Sequence, residues 1–410
     1  MEGTNKATIE SVVGEIIHDS RGDETLQATV RLSSGSVATS AVPGGGGSKG
    51  KFEAVMIDPK QSVAFIKDEI ERALVGKDPT TQQELDGIMR ELDGTADKSR
   101  LGANTILSVS LALARVSANE LKLPLYRYIG FLDSRQAFSV PIPMMNLING
   151  GKHADNNLEI QEFMVIPDRI ETYHAQLSAG KLIFSTLGQM LRAVSPVLPI
   201  GDEGGYAPML DTNEIAMDYL RQAIVQSGYK PWDEVSIALD IAASSLPETF
   251  EISPERYLGL LKDFPILSIE DPFGEEAWDD WATFRTKMDE SNSSFKKLML
   301  VGDDLFVTNP ERLRQGIDKK AANSILVKLN QIGTVSETLE VIQIARQAGY
   351  LIVVSHRSGE TLDDFIADFA VGVGAQFIKT GCPNDAHPER MTKYRRLLTI
   401  EQELGHAAIV

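Results

Sequence analysis

The alternation of apolar and polar positions divides the chain into two unlike parts. Over residues 8–43, short β-prone runs such as IESVVGEIIHD and ETLQATVRLSS are split by the turn-like Ser20, Arg21, Gly22 and Asp23. Helical periodicity follows. DPKQSVAFIKDEIERAL (58–74) puts Val63, Ile66, Ile70 and Leu74 on one face, and TTQQELDGIMREL continues in the same manner. ANTILSVSLALARVSANEL (103–121) is apolar on most sides, which predicts a buried helix. Strands followed by helices predict an N-terminal α+β domain over residues 1–137.

From residue 138 to 410 the pattern alternates. SIALDIA, ILSIED, LMLVGDD, SILVKLN, LIVVSHR and QFIKTG read as strands. Helical patterns lie between most of them: ISPERYLGLLKD, AWDDWATFRTKMDES, NPERLRQGIDKKA, SETLEVIQIARQAG and TLDDFIADFAVGV. Repeated strand–helix units with fully apolar strands predict a parallel sheet covered by helices. Without a glycine-rich dinucleotide fingerprint after the first strand, a closed (β/α)8-type barrel is favoured over an open sheet. The predicted fold class is α/β, a C-terminal barrel with a smaller N-terminal α+β domain.

Each apolar run ends in a polar residue: Asp240, Glu270, Asp303, Lys328, His356 with Arg357, and Lys379. They recur every 23 to 33 residues, about one strand–helix unit. Strand C-termini of a barrel meet at one mouth, where active sites are built. Three carboxylates should therefore converge on one side of the mouth and two lysines on the other. Three carboxylates suit a hard cation of the magnesium type, and no nearby Cys/His set competes for zinc. The plain alternative is that each acid caps the following helix, and that each lysine merely extends its stem to solvent. Lys328 and Lys379 should face each other near His356 and Arg357, and neighbouring cations can bring a lysine into the range of a general base. Two further segments carry acids: MMNLINGGKHADNNLEIQEFMVIP (144–167), with His153 and Glu162, and GDEGGYAP (201–208), with Asp202 and Glu203 between glycines.

Composition narrows the class. A hydrophobic content of 42% is that of a globular protein, and no stretch approaches the apolar length of a membrane span. The N-terminal MEGTNKATIE has neither the basic nor the apolar region of a signal peptide, and the lone Cys382 implies no oxidising compartment, so a cytoplasmic location is expected. A net charge of −18 disfavours nucleic acid and anionic membranes as partners. An anionic substrate needs a local cation cluster, which the strand-end lysines and Arg357 offer.

SRG (20–22), LGANTILSVSLA (101–112), PMMNLINGGKHADN (143–156), QEFMVIP (161–167), GDEGGYAP, ALDIAAS (238–244), SIEDP (268–272), GDDLFVTN (302–309), NSILVKLNQIGT (323–334), SHRSGET (355–361) and IKTG (378–381) together resemble enolase, in enolase order, over nearly the whole chain. The resemblance implies magnesium-dependent interconversion of 2-phosphoglycerate and phosphoenolpyruvate, a carbon–oxygen lyase reaction of glycolysis, in a homodimer or larger homo-oligomer. It implies Asp240, Glu270 and Asp303 as ligands of the main magnesium, Lys328 as the base at C2, and Glu203 as the acid for the C3 hydroxyl with Glu162 beside it. It implies Lys379 on the substrate carboxylate, His153 near the substrate, Arg357 and Ser358 on phosphate, and His356 supporting their loop.

Three departures stand out. The family lid loop, Val-Pro-Ser-Gly-Ala-Ser-Thr-Gly, is VPGGGGSKG (42–50) here, one residue longer, with Gly44 where the first serine ligates a second magnesium. Ser48 is a candidate substitute out of register, and Lys49 a candidate for reaching phosphate. The turn SRGNPT becomes SRGDET (20–25), with Gln27 at a usually acidic position, and GCPNDAHPER (381–390) is longer than usual and lacks the first arginine. Two rival readings remain: a divergent superfamily lyase acting on another 2-hydroxy or 2-phospho acid, and a non-catalytic paralogue that binds a partner.

Overall fold

The computed structural model describes residues 6–45, 51–195, 197–247, 250–290 and 298–405. Ser48 and Lys49, the two lid side chains singled out from sequence, lie outside the described residues.

The N-terminal part opens with three strands, β1 (Ile9–His18), β2 (Glu24–Leu32) and β3 (Val37–Ala41), in an antiparallel sheet of that order. The first turn is built by Asp19, whose Oδ1 accepts the Arg21 and Asp23 backbone N–H groups at 2.9 and 3.0 Å. This is the local side-chain bonding for which aspartate is selected in turns. Helical segments spanning 59–74, with a π-helical stretch at Ile66–Ile70, pack on β1. Their approach is close: a Cβ on Gly14 would sit 2.7 Å from Ile66 Cδ1. The apolar helix Ala103–Glu120 is buried over nearly all its length, as its sequence predicts. It lies between the small sheet and the rest of the molecule, where Ser110 Oγ accepts the Val335 N–H at 3.0 Å.

The remainder closes into an eight-stranded barrel. Its strands are β4 (Ile142–Asn149), β5 (Glu162–Ile166), β6 (Ser236–Asp240), β7 (Ile266–Glu270), β8 (Met299–Gly302), β9 (Ser324–Val327), β10 (Leu351–Ser355) and β11 (Phe377–Lys379), with β11 returning to β4. The barrel prediction holds, but the all-parallel sheet does not: β5 runs antiparallel to both β4 and β6. The physical reason is the β4–β5 connection. A parallel crossover needs a helix-length excursion, and residues 150–161 contain only a short 3-10 turn, Gly151–His153. The chain must therefore turn back. Two helices, Tyr173–Val194 and Asn213–Gln226, then separate β5 from β6.

The strand period of two positions the chemistry. Inside the barrel Ile142, Met144, Met164, Ile166, Ala238, Met299, Val301, Leu326, Val353 and Phe377 form one apolar plug. Two residues beyond Ala238, Val301, Leu326 and Phe377, on the same face, come Asp240, Asp303, Lys328 and Lys379. Because β5 is reversed, its first residue, Glu162, reaches the same mouth and pairs in register with Asp240. Among the described residues, no helix is long and apolar enough to cross a membrane.

Candidate active site

One cavity at this mouth is lined by His153, Gln161, Glu162, Glu203, Asp240, Lys328, Ser355, His356, Arg357, Ser358 and Lys379. All of the strand-end residues singled out from sequence lie at it or beside it, and all except Lys328, which is partly buried, are buried. Asp240, Glu270 and Asp303 do not serve as helix caps. Ser253, Asn309 and Thr334 cap the helices instead. Asp240 makes one local bond, from the Ala242 N–H at 3.0 Å, and its other oxygen accepts from Gln161 Nε2 at 3.2 Å.

Asp240, Glu270 and Asp303 lie at the ends of the adjacent strands β6, β7 and β8, and Lys328 and Lys379 at the ends of β9 and β11, but the charged ends are not kept apart. Lys379 Nζ sits among three acids, 2.9 Å from Glu270 Oε2, 3.1 Å from Glu162 Oε2 and 3.3 Å from Asp240 Oδ2. Lys328 Nζ donates to Asp303 Oδ2. Buried charges demand partners, and a small closed barrel lets a lysine from one strand reach acids on the opposite wall. The same contacts correct the expectation that neighbouring cations depress Lys328. Burial, Arg357 and Lys379 do work to lower its pKa, but Asp303 outweighs them and holds it above the ordinary lysine value. Burial likewise opposes the charge on Lys379, yet Glu162 and Glu270 keep its pKa well above the ordinary range.

Acidic groups form two clusters. Oxygens of Glu270, Asp271 and Asp303 lie within 4.8 Å of one another. Burial, with the Asp240 charge second, pushes Glu270 up to about 8. Its Oε1 is buried and lacks a hydrogen-bond partner among the described residues. Asp271, in the left-handed region at φ 41°, accepts the Asp303 and Asp304 backbone N–H groups at 3.1 and 2.7 Å and so sets where Asp303 points. Gln331 Nε2 donates to the other Asp303 oxygen at 2.9 Å. A set of carboxylate oxygens, one of them unpartnered, fits a hard divalent cation.

The second cluster is His153, Glu162 and Glu203, again with ligand atoms within 4.8 Å. Here the partners are hydrogen-bond donors. Ser358 Oγ donates to Glu203 Oε1 at 3.2 Å, and Asn146 Nδ2 donates to Oε2 at 3.1 Å. His356 Nε2 is 3.3 Å from Glu203 Oε1. Arg390 Nη1 lies 2.7 Å from His356 Nδ1. Arginine only donates, so Nδ1 is the acceptor and the imidazole proton sits on Nε2, facing Glu203. Burial holds His356 down to about 4, which keeps it neutral. The two carboxyls are driven apart. Burial, then the Glu203 charge, raises Glu162 well above its ordinary value. Burial also works against Glu203, but the imidazoles of His356 and His153 hold its pKa well below the ordinary value. Of the two, Glu162 has the higher proton affinity and Glu203 the lower. His153 Nε2 is 3.1 Å from Ser358 Oγ, and its Nδ1 is 3.4 Å from Glu162 Oε1.

Gly44 is away from the cavity lining. A Cβ there would fall 2.4 Å from Asp19 Oδ2, so a serine at that position would require the Asp19 carboxylate to move aside. The Gly359 N–H donates to Gly45 O at 2.8 Å, joining the start of the glycine run to the Ser358 loop. Sequence reasoning passed over Asn146, Gln161, Asp271, Gln331 and Arg390. Asp271 and Gln331 sit inside the quoted blocks SIEDP and NSILVKLNQIGT, but their role depends on which backbone groups they reach across strands.

The sequence matches two family models, "Enolase, N-terminal domain" over residues 9–129 and "Enolase, C-terminal TIM barrel domain" over residues 137–410. These matches, with the eight-stranded barrel and the acidic mouth, support lyase activity of the enolase-superfamily type on a phosphoglycerate-like substrate, and the chain belongs to the enolase family.

Proposed function

We propose that this protein is a phosphopyruvate hydratase, reversibly dehydrating 2-phosphoglycerate to phosphoenolpyruvate. The observation that carries this reading is the placement of a lysine paired to an acid, Lys328 with Asp303, on one cavity with two carboxyls of opposite proton affinity, Glu162 and Glu203. Environments that push two groups apart assign acid and base roles.

Lys328 takes the C2 proton as the free amine, which requires that it first give up the Asp303 contact that holds it protonated here. The electron pair left at C2 moves onto the substrate carboxylate, against which Lys379 places its ammonium. Those electrons then form the C2–C3 double bond as the C3 hydroxyl leaves, and the proton held by Glu162 and Glu203 converts it to water. Glu203 delivers that proton in this scheme, with Glu162 as its store. Arg357 and Ser358 bind the phosphate, His153 borders the substrate, and His356 orients Glu203. Magnesium would be held by Asp240, Glu270 and Asp303, and would supply positive charge that offsets the second charge on the carboxylate. We assign the enzyme to glycolysis in the cytoplasm, as a homo-oligomer.

The crowding of Gly44 by Asp19 favours one alternative, a superfamily lyase whose lid serves another 2-hydroxy or 2-phospho acid. The deciding experiment is ultraviolet absorbance of phosphoenolpyruvate after 2-phosphoglycerate and magnesium are added, with a chelator control. Chelator-sensitive signal supports the hydratase. No signal, together with tight binding of a phosphate ester, supports the alternative.

A further inference from the structure

The segment 51–54 follows the glycine run and is tied to the barrel at three successive residues. The Arg312 guanidinium lies over the Phe52 ring, 4.0 Å from its centroid. The Ala54 N–H donates to the Gln331 carbonyl at 2.9 Å. Between them, Glu53 accepts from both terminal nitrogens of Arg357, Nη1 to Oε2 at 3.0 Å and Nη2 to Oε1 at 3.3 Å. Arg357 Nη1 also donates to Asn330 Oδ1 at 3.1 Å. Both side chains are withdrawn from solvent, with 3% of Arg357 and 8% of Glu53 accessible.

None of these three bonds uses Nε. A guanidinium carries five N–H groups in one rigid plane. Glu53 engages the end formed by the two terminal nitrogens. The side edge, Nε with the remaining Nη2 hydrogen, is left for the cavity that Arg357 lines. Such an edge matches two oxygens of one phosphate. The network also reaches the acidic cluster. Gln331 Nε2 donates to Asp303 Oδ1 at 2.9 Å and to Glu53 Oε1 at 3.4 Å, while its own Oε1 accepts from Thr308 Oγ1 at 2.7 Å. Without Glu53, Arg357 would be a buried cation short of a carboxylate.

The geometry points to Glu53 as a positioning residue for the phosphate site: supplied by the N-terminal part of the chain, it fixes the Arg357 guanidinium so that the free edge faces the anion. This rests on the proposed function for the role of Arg357 itself. Glu53 acts through Arg357 and does not meet the reacting atoms.

Inorganic phosphate, titrated calorimetrically into the full-length chain without magnesium, reads this site with no turnover. Glu53→Gln keeps the size but turns one acceptor into a donor facing another donor. It should weaken phosphate binding about tenfold, in the range for hydrogen bonds to charged groups. Glu53→Asp, one methylene shorter, should weaken it less. In an Arg357→Gln background neither change should add a loss. Unchanged or tighter phosphate binding by Glu53→Gln overturns the inference, as does an equal loss in the Arg357→Gln background, or a parent that binds phosphate no better than Arg357→Gln. If Glu53→Gln does not fold, Glu53→Asp carries the same comparison. The expected phosphate series without any turnover of 2-phosphoglycerate would support Glu53 and sink only the proposed reaction.

Discussion

The two acidic clusters at the barrel mouth use the same side chains under opposite rules. Around Glu203, Ser358 and Asn146 donate to one carboxylate with His356 Nε2 3.3 Å away, and burial with the Glu203 charge raises the proton affinity of its neighbour Glu162. Around Asp303, lysines and backbone N–H groups arrange acids whose remaining oxygen, Glu270 Oε1, has no partner among the described residues. The difference teaches that residue type alone does not assign a role. Donors fixed around a carboxylate hold its proton affinity down and leave the proton to its neighbour, whereas a buried carboxyl oxygen without a donor is open to a cation.

The largest expected effect breaks this comparison by deleting one chemistry at a time. Lys328→Ala should lower dehydration on the order of a thousandfold or more, the scale of a lost general base, and abolish exchange of the C2 proton with deuterated water. Glu203→Gln should lose dehydration to a similar degree but retain that exchange. Exchange surviving in Lys328→Ala, followed by proton NMR, would place the base elsewhere.

Next is the metal side. Asp303→Asn should weaken magnesium binding by on the order of a hundredfold or more, and Asp271→Asn by about tenfold, as expected when a group that orients a ligand is lost. Glu162→Gln, in the donor-rich cluster, should leave magnesium affinity nearly unchanged. Calorimetric titration decides, and equal losses in Asp303→Asn and Glu162→Gln would erase the distinction between the clusters.

The smallest effect is on stability. Burial raises Glu270 to about 8 and Asp304 to about 7, above the ordinary 4.5 and 3.8. A carboxyl with a raised folded-state pKa binds more protons folded than unfolded, so its contribution is present at low pH and lost as pH rises through the raised value. His356, lowered to about 4, acts oppositely, but only below its ordinary 6.5. In metal-free protein the melting temperature should therefore fall by roughly a few degrees between pH 6.5 and 8, and Glu270→Gln should flatten that slope. Magnesium should stabilise more at pH 8 than at pH 6.5, because it competes with the proton for the same oxygens. A rising or flat profile for the metal-free parent would contradict the burial argument for Glu270.

Much of the mouth could be read from local pattern. Apolar runs of strand length, each ending in a charged residue one unit after the last, place Asp240, Asp303, Lys328 and Lys379 at one rim because strand side chains alternate and barrel strands share a direction. Glu162 is the exception that shows the limit of that logic. It begins its strand, and only the reversal of β5, forced by the short 150–161 connection, brings it beside Asp240.

What sequence determined by itself was therefore the list of ionisable groups, the strand–helix alternation and the separation into a small sheet and a barrel, since these follow from periodicities a few residues long. Tertiary structure alone decided the partners. Lys379 meets Glu162, Asp240 and Glu270 only because β11 closes against β4. Glu203 acquires its low proton affinity from His356, itself fixed by Arg390 across 34 residues of chain. Glu53 reaches Arg357 across 304 residues of chain. The pKa of a buried group is set by charges and dipoles within a few ångströms, and which groups those are depends on barrel closure and loop docking rather than on distance along the chain.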